Sequence, residues 1–210
     1  MEGLTPLFFC HILWSDMDQS MLFRLMILVG SIALTSCANK ITASQEIPKS
    51  LSEETYAPRW RCNSCSSSEK FVLRKIQEET NIKSRNSLAV ILGNIKQESG
   101  FNANICEGGT RVTYENCNKG GYGIVQWTTP SRYFGLGEYA QKNNCDPSSL
   151  ECQVGYMIVE PVFLRNLKKF ERSIGNNDYF MGVAYNWLGW GIKGNRSKYA
   201  YGYYNKLERY

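Results

Sequence analysis

At 210 residues, with the composition of a soluble globular protein, the chain holds one good-sized domain with appendages rather than two full domains. A net charge of +5 favours anionic partners, but no Lys/Arg cluster is dense enough to select nucleic acid, which is not expected as a partner. The single histidine, His11, stands in the first 20 residues. Without that segment the protein has no histidine for Ser-His or Cys-His catalysis, or for most zinc-enzyme chemistry.

Residues 1–20 have no targeting character, and Met17 or Met21 is an alternative start. Residues 21–37, MLFRLMILVGSIALTSC, begin with Arg24 and run through an apolar core from Leu25 to Leu34. That core is too short to span a bilayer and has the length of a signal-peptide core. It ends in Leu34-Thr35-Ser36-Cys37, which resembles the lipobox of bacterial lipoproteins and implies cleavage before Cys37 and lipidation of its thiol. The expectation is an exported monomer, lipid-anchored to a bacterial membrane and facing the periplasm or cell surface. Residues 38–58 are polar and lack periodicity, as a tether does.

The folded domain is expected over 59–210. Ser67 and Ser68 can cap a helix carrying Phe71, Val72 and Ile76 inward. In a second helix, 85–98, Leu88, Ile91, Leu92 and Ile95 recur at i, i+3, i+4, i+7, and Gly100 stands where a C-cap glycine would. A Gly-, Asn- and Thr-rich stretch follows over 102–123, with a strand-like alternation at Val112 and Tyr114. Thr129-Pro130 opens a helix over 130–142. Another begins near 147, kinked or split at Pro161. Asn177 or Asp178 begins a further helix, and 196–208 reads as a last one. The predicted architecture is mainly helical, with a small irregular or hairpin lobe after the second helix.

Apart from Cys10 and Cys37, six cysteines remain, an even number that in an exported chain reads as a disulfide framework. Of the fifteen possible pairings, proximity favours Cys62–Cys65, Cys106–Cys117 and Cys145–Cys152. A Cys-x-x-Cys also occurs in redox and zinc sites. Here no thioredoxin-like strand precedes it and no second Cys-x-x-Cys completes a ligand set, so no metal is expected.

Glu98 follows Ile95 by three residues and Ile91 by seven, so it shares their apolar face. An acid there loses hydration in its charged form and its pKa should rise. A carboxyl kept protonated at neutral pH can donate to a glycosidic oxygen. Residues 120–127, GGYGIVQW, set close-spaced glycines beside Tyr122, Gln126 and Trp127. Glycine lets backbone approach a ligand, while a Gln amide and aromatic faces suit N-acetyl groups and sugar rings.

Together, LAVILGNIKQESGFN at 88–102 and GGYGIVQWTTPSRYFGLGEYA at 120–140 resemble the tail-associated lysozyme domains of bacteriophages. Those domains follow a Gly-Asn-x-x-x-Glu-Ser helix with Gly-x-Gly-x-x-Gln-Trp-Thr, and NRSKYAYGYY at 195–204 resembles their closing Arg…Ala…Tyr helix. The resemblance, over about 86–210, implies an α+β, mainly helical lysozyme-like fold with a small β lobe and a saccharide cleft. It implies Glu98 as general acid and places Tyr122, Gly123 and Gln126, with Trp127 beside them, on the cleft wall. Ala184-Tyr185-Asn186 is similar to the Ala-Tyr-Asn of lytic transglycosylases, which implies that Tyr185 orients Glu98 with Asn186 near the substrate.

The implied function is cleavage of the β-1,4 bond between N-acetylmuramic acid and N-acetylglucosamine in peptidoglycan, without a cofactor. The alternative is a catalytically inactive lysozyme-like module that binds the wall. A hydrolase needs a second carboxylate, whereas a lytic transglycosylase uses one Glu and an internal sugar hydroxyl. Glu107 and Glu115, between Cys106 and Cys117, are the candidates, and Glu115 is the one retained.

Overall fold

The structure is a computed structural model that describes residues 60–118 and 120–210. The expected signal peptide, lipidated Cys37 and tether lie outside these residues. Strand β1 (Trp60–Arg61) leads into α1 (Ser67–Glu79) and α2 (Arg85–Ser99). An irregular lobe with one 3-10 turn (Tyr114–Asn116) follows, and then α3 (Pro130–Asn143) and α4 (Leu150–Val159). The chain continues through α5 (Pro161–Phe170), α6 (Asn177–Leu188), α7 (Arg196–Lys206) and β2 (Glu208–Arg209).

The helices start and stop for local reasons. Ser66, one residue earlier than expected, caps α1: its hydroxyl accepts from the Glu69 N–H, and Glu69 Oε2 accepts from the Ser66 N–H at 2.7 Å. Of the three serines, Ser66 is the one with Glu three residues on, and a capping box needs that spacing. Helix α2 ends at Gly100, whose φ of 61° is the left-handed cap conformation. Pro161 divides the helix expected from about 147 into α4, which begins at Leu150, and α5, with Glu160 extended at the junction.

Helix α2 is the centre of the domain. Leu88, Ala89, Val90, Ile91, Leu92 and Ile95 are all fully buried, so it is enclosed on most sides rather than along one stripe. Helix α7 lies against it at Gly93, where an added Cβ would stand 2.5 Å from the Ala200 backbone nitrogen. Glycine is what permits this close approach. On another side, Phe163, Phe170 and Trp187 pack ring to ring at 5.1–6.1 Å between centroids.

The lobe differs from the expected hairpin. Val112 and Tyr114 form no strand: Tyr114 opens the 3-10 turn, and pairing is confined to isolated bridges Ile105↔Arg111, Cys106↔Tyr122 and Tyr122↔Trp127. The lobe is held by side chains instead. Buried Gln153 of α4 donates to the carbonyls of Ala103 (2.8 Å) and Pro147 (2.7 Å), and accepts from the Ile124 N–H (2.9 Å). The disulfides join Cys62–Cys65, Cys106–Cys117 and Cys145–Cys152, as sequence proximity indicates. The named sheet lies elsewhere. Strands β1 and β2 pair antiparallel, Trp60 with Arg209 and Arg61 with Glu208, so the last helix ends at Lys206 rather than 208.

Candidate active site

Glu98 occupies the last turn of α2, its side chain 15% exposed. The contact of Gly93 with Ala200 and of Glu98 with Arg196 shows that α2 and α7 run antiparallel. The first residue of α7 thereby faces the end of α2. Arg196 Nη2 donates to Glu98 Oε1, while Nη1 donates to the carbonyls of Lys193 (3.1 Å) and Ile192 (3.3 Å). Its guanidinium lies 4.6 Å from the centroid of the Trp190 ring, a cation–π contact. Among the described residues, Glu98 Oε2 has no hydrogen-bond partner.

Burial pushes the Glu98 carboxyl above its ordinary pKa, outweighing the charge and hydrogen bond of Arg196 and the charge of Arg132. Desolvation penalises the charged form, so the proton is held to higher pH than on an exposed glutamate. This agrees with the apolar-face argument. The arginine partner was not visible in the helical spacing of α2.

The neighbouring Ser99 has a different task. Its Oγ lies 2.9 Å from the Ile124 carbonyl and accepts from the Phe101 N–H at 3.1 Å. The Glu-Ser pair thus presents one side chain to the surface and uses the next to tie GGYGIVQW to α2.

That second segment is more internal than expected. Tyr122 and Trp127 are fully buried, and Gly123 is buried at a φ of 75°. The Tyr122 hydroxyl bonds Ser148 Oγ at 2.8 Å. A Cβ on Gly123 would fall 2.4 Å from Gln153 Oε1, so its glycine answers to the interior amide and not to a ligand. These three residues are therefore lobe core rather than cleft wall. Gln126 is half-buried with a φ of 52°, and its amide donates to the Gly123 carbonyl at 2.9 Å.

Tyr185 and Asn186 are exposed. Tyr185 makes no hydrogen bond to Glu98 among the described residues; Arg196 takes the orienting place expected of it. The Tyr185 ring instead meets Trp190 edge-on, 5.3 Å between centroids. Glu115 is exposed in the 3-10 turn, and its charge bears on Tyr114, Tyr122 and Tyr133 rather than on Glu98. Glu107 binds back to the lobe, accepting from the Gly121 N–H at 3.2 Å.

One acid escaped the sequence reading. Glu160 has no exposed surface and accepts from Trp127 Nε1 (3.0 Å), Trp187 Nε1 (2.8 Å), Arg132 Nε (3.0 Å) and Arg132 Nη2 (2.7 Å). With four donors on two oxygens it is a structural anchor, closed to substrate. A Glu directly before Pro, between two apolar runs, was the available clue. Among the described residues no group of three or more His, Cys, Asp or Glu is placed to hold a metal ion.

A family model described as Phage tail lysozyme matches residues 79–207, a span holding Glu98, Arg132, Glu160 and Arg196. The chain belongs to the phage tail lysozyme family. In the same comparisons no curated protein and no solved structure matches it. For a phage tail lysozyme the seven helices and the small two-stranded sheet of the described residues constitute a lysozyme-like α+β fold, and the family supports a function directed at peptidoglycan. Glu98 combines a burial-raised pKa with one oxygen that no described residue engages.

Proposed function

We propose that this phage tail lysozyme cleaves the β-1,4 bond between N-acetylmuramic acid and N-acetylglucosamine, with Glu98 as general acid. The observation that carries the reading is the environment of that carboxyl: burial favours its protonated form, while Arg196 holds Oε1 and no described residue takes Oε2. The proton passes from Glu98 to the bridging oxygen as the C1–O bond breaks, leaving positive charge on C1 and negative charge on Glu98. Arg196 and Arg132 stabilise the carboxylate so formed. Their opposition to burial lets the group both hold and release its proton.

The charge at C1 is relieved by water or by the sugar's own C6 hydroxyl. Glu160 is closed off by its four donors, and the charge of Glu115 bears on the tyrosines and not on Glu98, so neither supports the role of partner acid. Digestion of purified peptidoglycan followed by mass spectrometry tests the proposal. Fragments with reducing muramic ends assign water as acceptor, and 1,6-anhydro ends assign the hydroxyl. Wall binding without fragment release overturns the enzyme and favours the binding module.

The protein is further proposed to work as an exported lipoprotein held at Cys37, with no metal or organic cofactor. Arg24, the apolar run and Leu-Thr-Ser-Cys in that order support export, as does a domain built with three disulfides. Replacement of Cys37 by Ala should shift the protein out of the membrane fraction; unchanged fractionation removes the anchor.

A further inference from the structure

The residues between α6 and α7, GWGIKGN, are absorbed neither by the fold nor by the proton donor. Gly189 ends α6 in the left-handed conformation, and the chain then turns so that Trp190 reaches back to Tyr185. Tyr185 is 53% exposed and Trp190 half-buried. The ground around them is open: a methyl group added at Gly182, Gly189 or Gly191 would meet nothing within 4 Å. Asn186, with an amide to offer, is exposed beside Tyr185.

The loop is fixed relative to the acid. The Asn195 N–H donates to Gln97 Oε1 at 2.8 Å, and Gly194 packs on the same amide, next to Glu98 in the chain. A continuous series of contacts then runs inward, from the Tyr185 ring to Trp190, from Trp190 to the Arg196 guanidinium, and from Arg196 to Glu98 Oε1. An exposed aromatic pair wired to a proton donor has the chemistry of a sugar-ring seat: the flat C–H face of a pyranose packs on an aromatic face, and an amide side chain receives an N-acetyl group.

We propose that Tyr185 and Trp190 form a saccharide platform that seats an N-acetylhexosamine ring of the glycan beside Glu98, with Arg196 as the positioning residue between platform and acid. The inference rests on the glycosidase reading above and adds the place where the chain is gripped. It gives Tyr185 a substrate-facing role in place of the acid-orienting one.

The test titrates the full chain carrying Glu98→Gln with chitotriose, an uncharged N-acetylglucosamine trimer, by calorimetry and tryptophan fluorescence. Adding Tyr185→Ala should weaken binding about tenfold. Adding Trp190→Phe should abolish most of the fluorescence response while keeping weaker binding. With Glu98 intact, Tyr185→Ala should raise KM for peptidoglycan while kcat changes by less than about threefold. Tyr185 is exposed and the Phe change keeps a ring, so circular dichroism should confirm native folds. Absent chitotriose binding, or unchanged affinity and KM in both variants, overturns the platform whether or not the native protein cleaves peptidoglycan. Platform-dependent binding by a native protein that releases no fragments keeps the platform and removes the glycosidase.

Discussion

A carboxyl that donates a proton needs one environment before the transfer and another after it. Glu98 has both, because burial resists its charge while Arg196 and Arg132 accept that charge once it forms. Glu98→Gln keeps the shape and removes the proposed proton donor, so peptidoglycan cleavage should fall by about 10²–10⁴-fold with little change in melting temperature. Arg196→Gln removes the nearer cation, which now pulls the pKa down. The Glu98 pKa should then rise further and the alkaline limb of a kcat/KM profile should move to higher pH, with a lower plateau from lost orientation. A limb that stays in place detaches Arg196 from the acid. At this scale the sequence revealed the placement of Glu98, since an acid at helical spacing from Ile91 and Ile95 must share their face. It did not reveal which residue orients Glu98. Tyr185 and Arg196 lie on other helices, and their approach to Glu98 depends on packing that no local pattern encodes.

Elements bring those residues together through two contrasting contacts. At Gly93 the α2 and α7 backbones touch without intervening side chains. Gly93→Ala must push the helices apart, costing about 1–3 kcal/mol of stability and drawing Arg196 off Glu98; denaturant melts and fragment release should fall together. At Glu160 the contact is polar. Glu160→Ala leaves Arg132 and two indole N–H groups without their shared acceptor, and a loss of about 3–5 kcal/mol in urea unfolding is expected. Helices α2, α3 and α6 were legible because caps and apolar periods mark them locally. The lobe was not, because Gln153 and a disulfide shape it in place of a repeating backbone pattern. In GGYGIVQW glycine does permit a close approach, but at Gly123 the neighbour is Gln153 in place of the expected ligand, and no local pattern names that neighbour. Strand β2 carries no local signal that separates it from the preceding helix, because its partner, β1, lies at the other end of the domain's sequence.

In the whole molecule the distribution of these contacts matters more than their number. The Glu160 carboxylate stands at the junction of α4 and α5 and receives Trp127 from the lobe, Arg132 from α3 and Trp187 from α6. Two of its donors, Trp127 and Trp187, are the fully buried tryptophans among the described residues. Lobe and helical body therefore share this fastening, beside the ties made by Gln153 and Ser99, and carry their own reporters of it. Neither part should melt alone: near-ultraviolet dichroism from the indoles and far-ultraviolet dichroism from the helices are expected to trace one coincident, two-state transition. Two separated transitions would show that the lobe is an autonomous unit. If they coincide, the carboxylate that keeps two indoles dry belongs to a network that unfolds as a unit, so that Glu98 and the segment Ser99 ties to its helix persist or vanish as one.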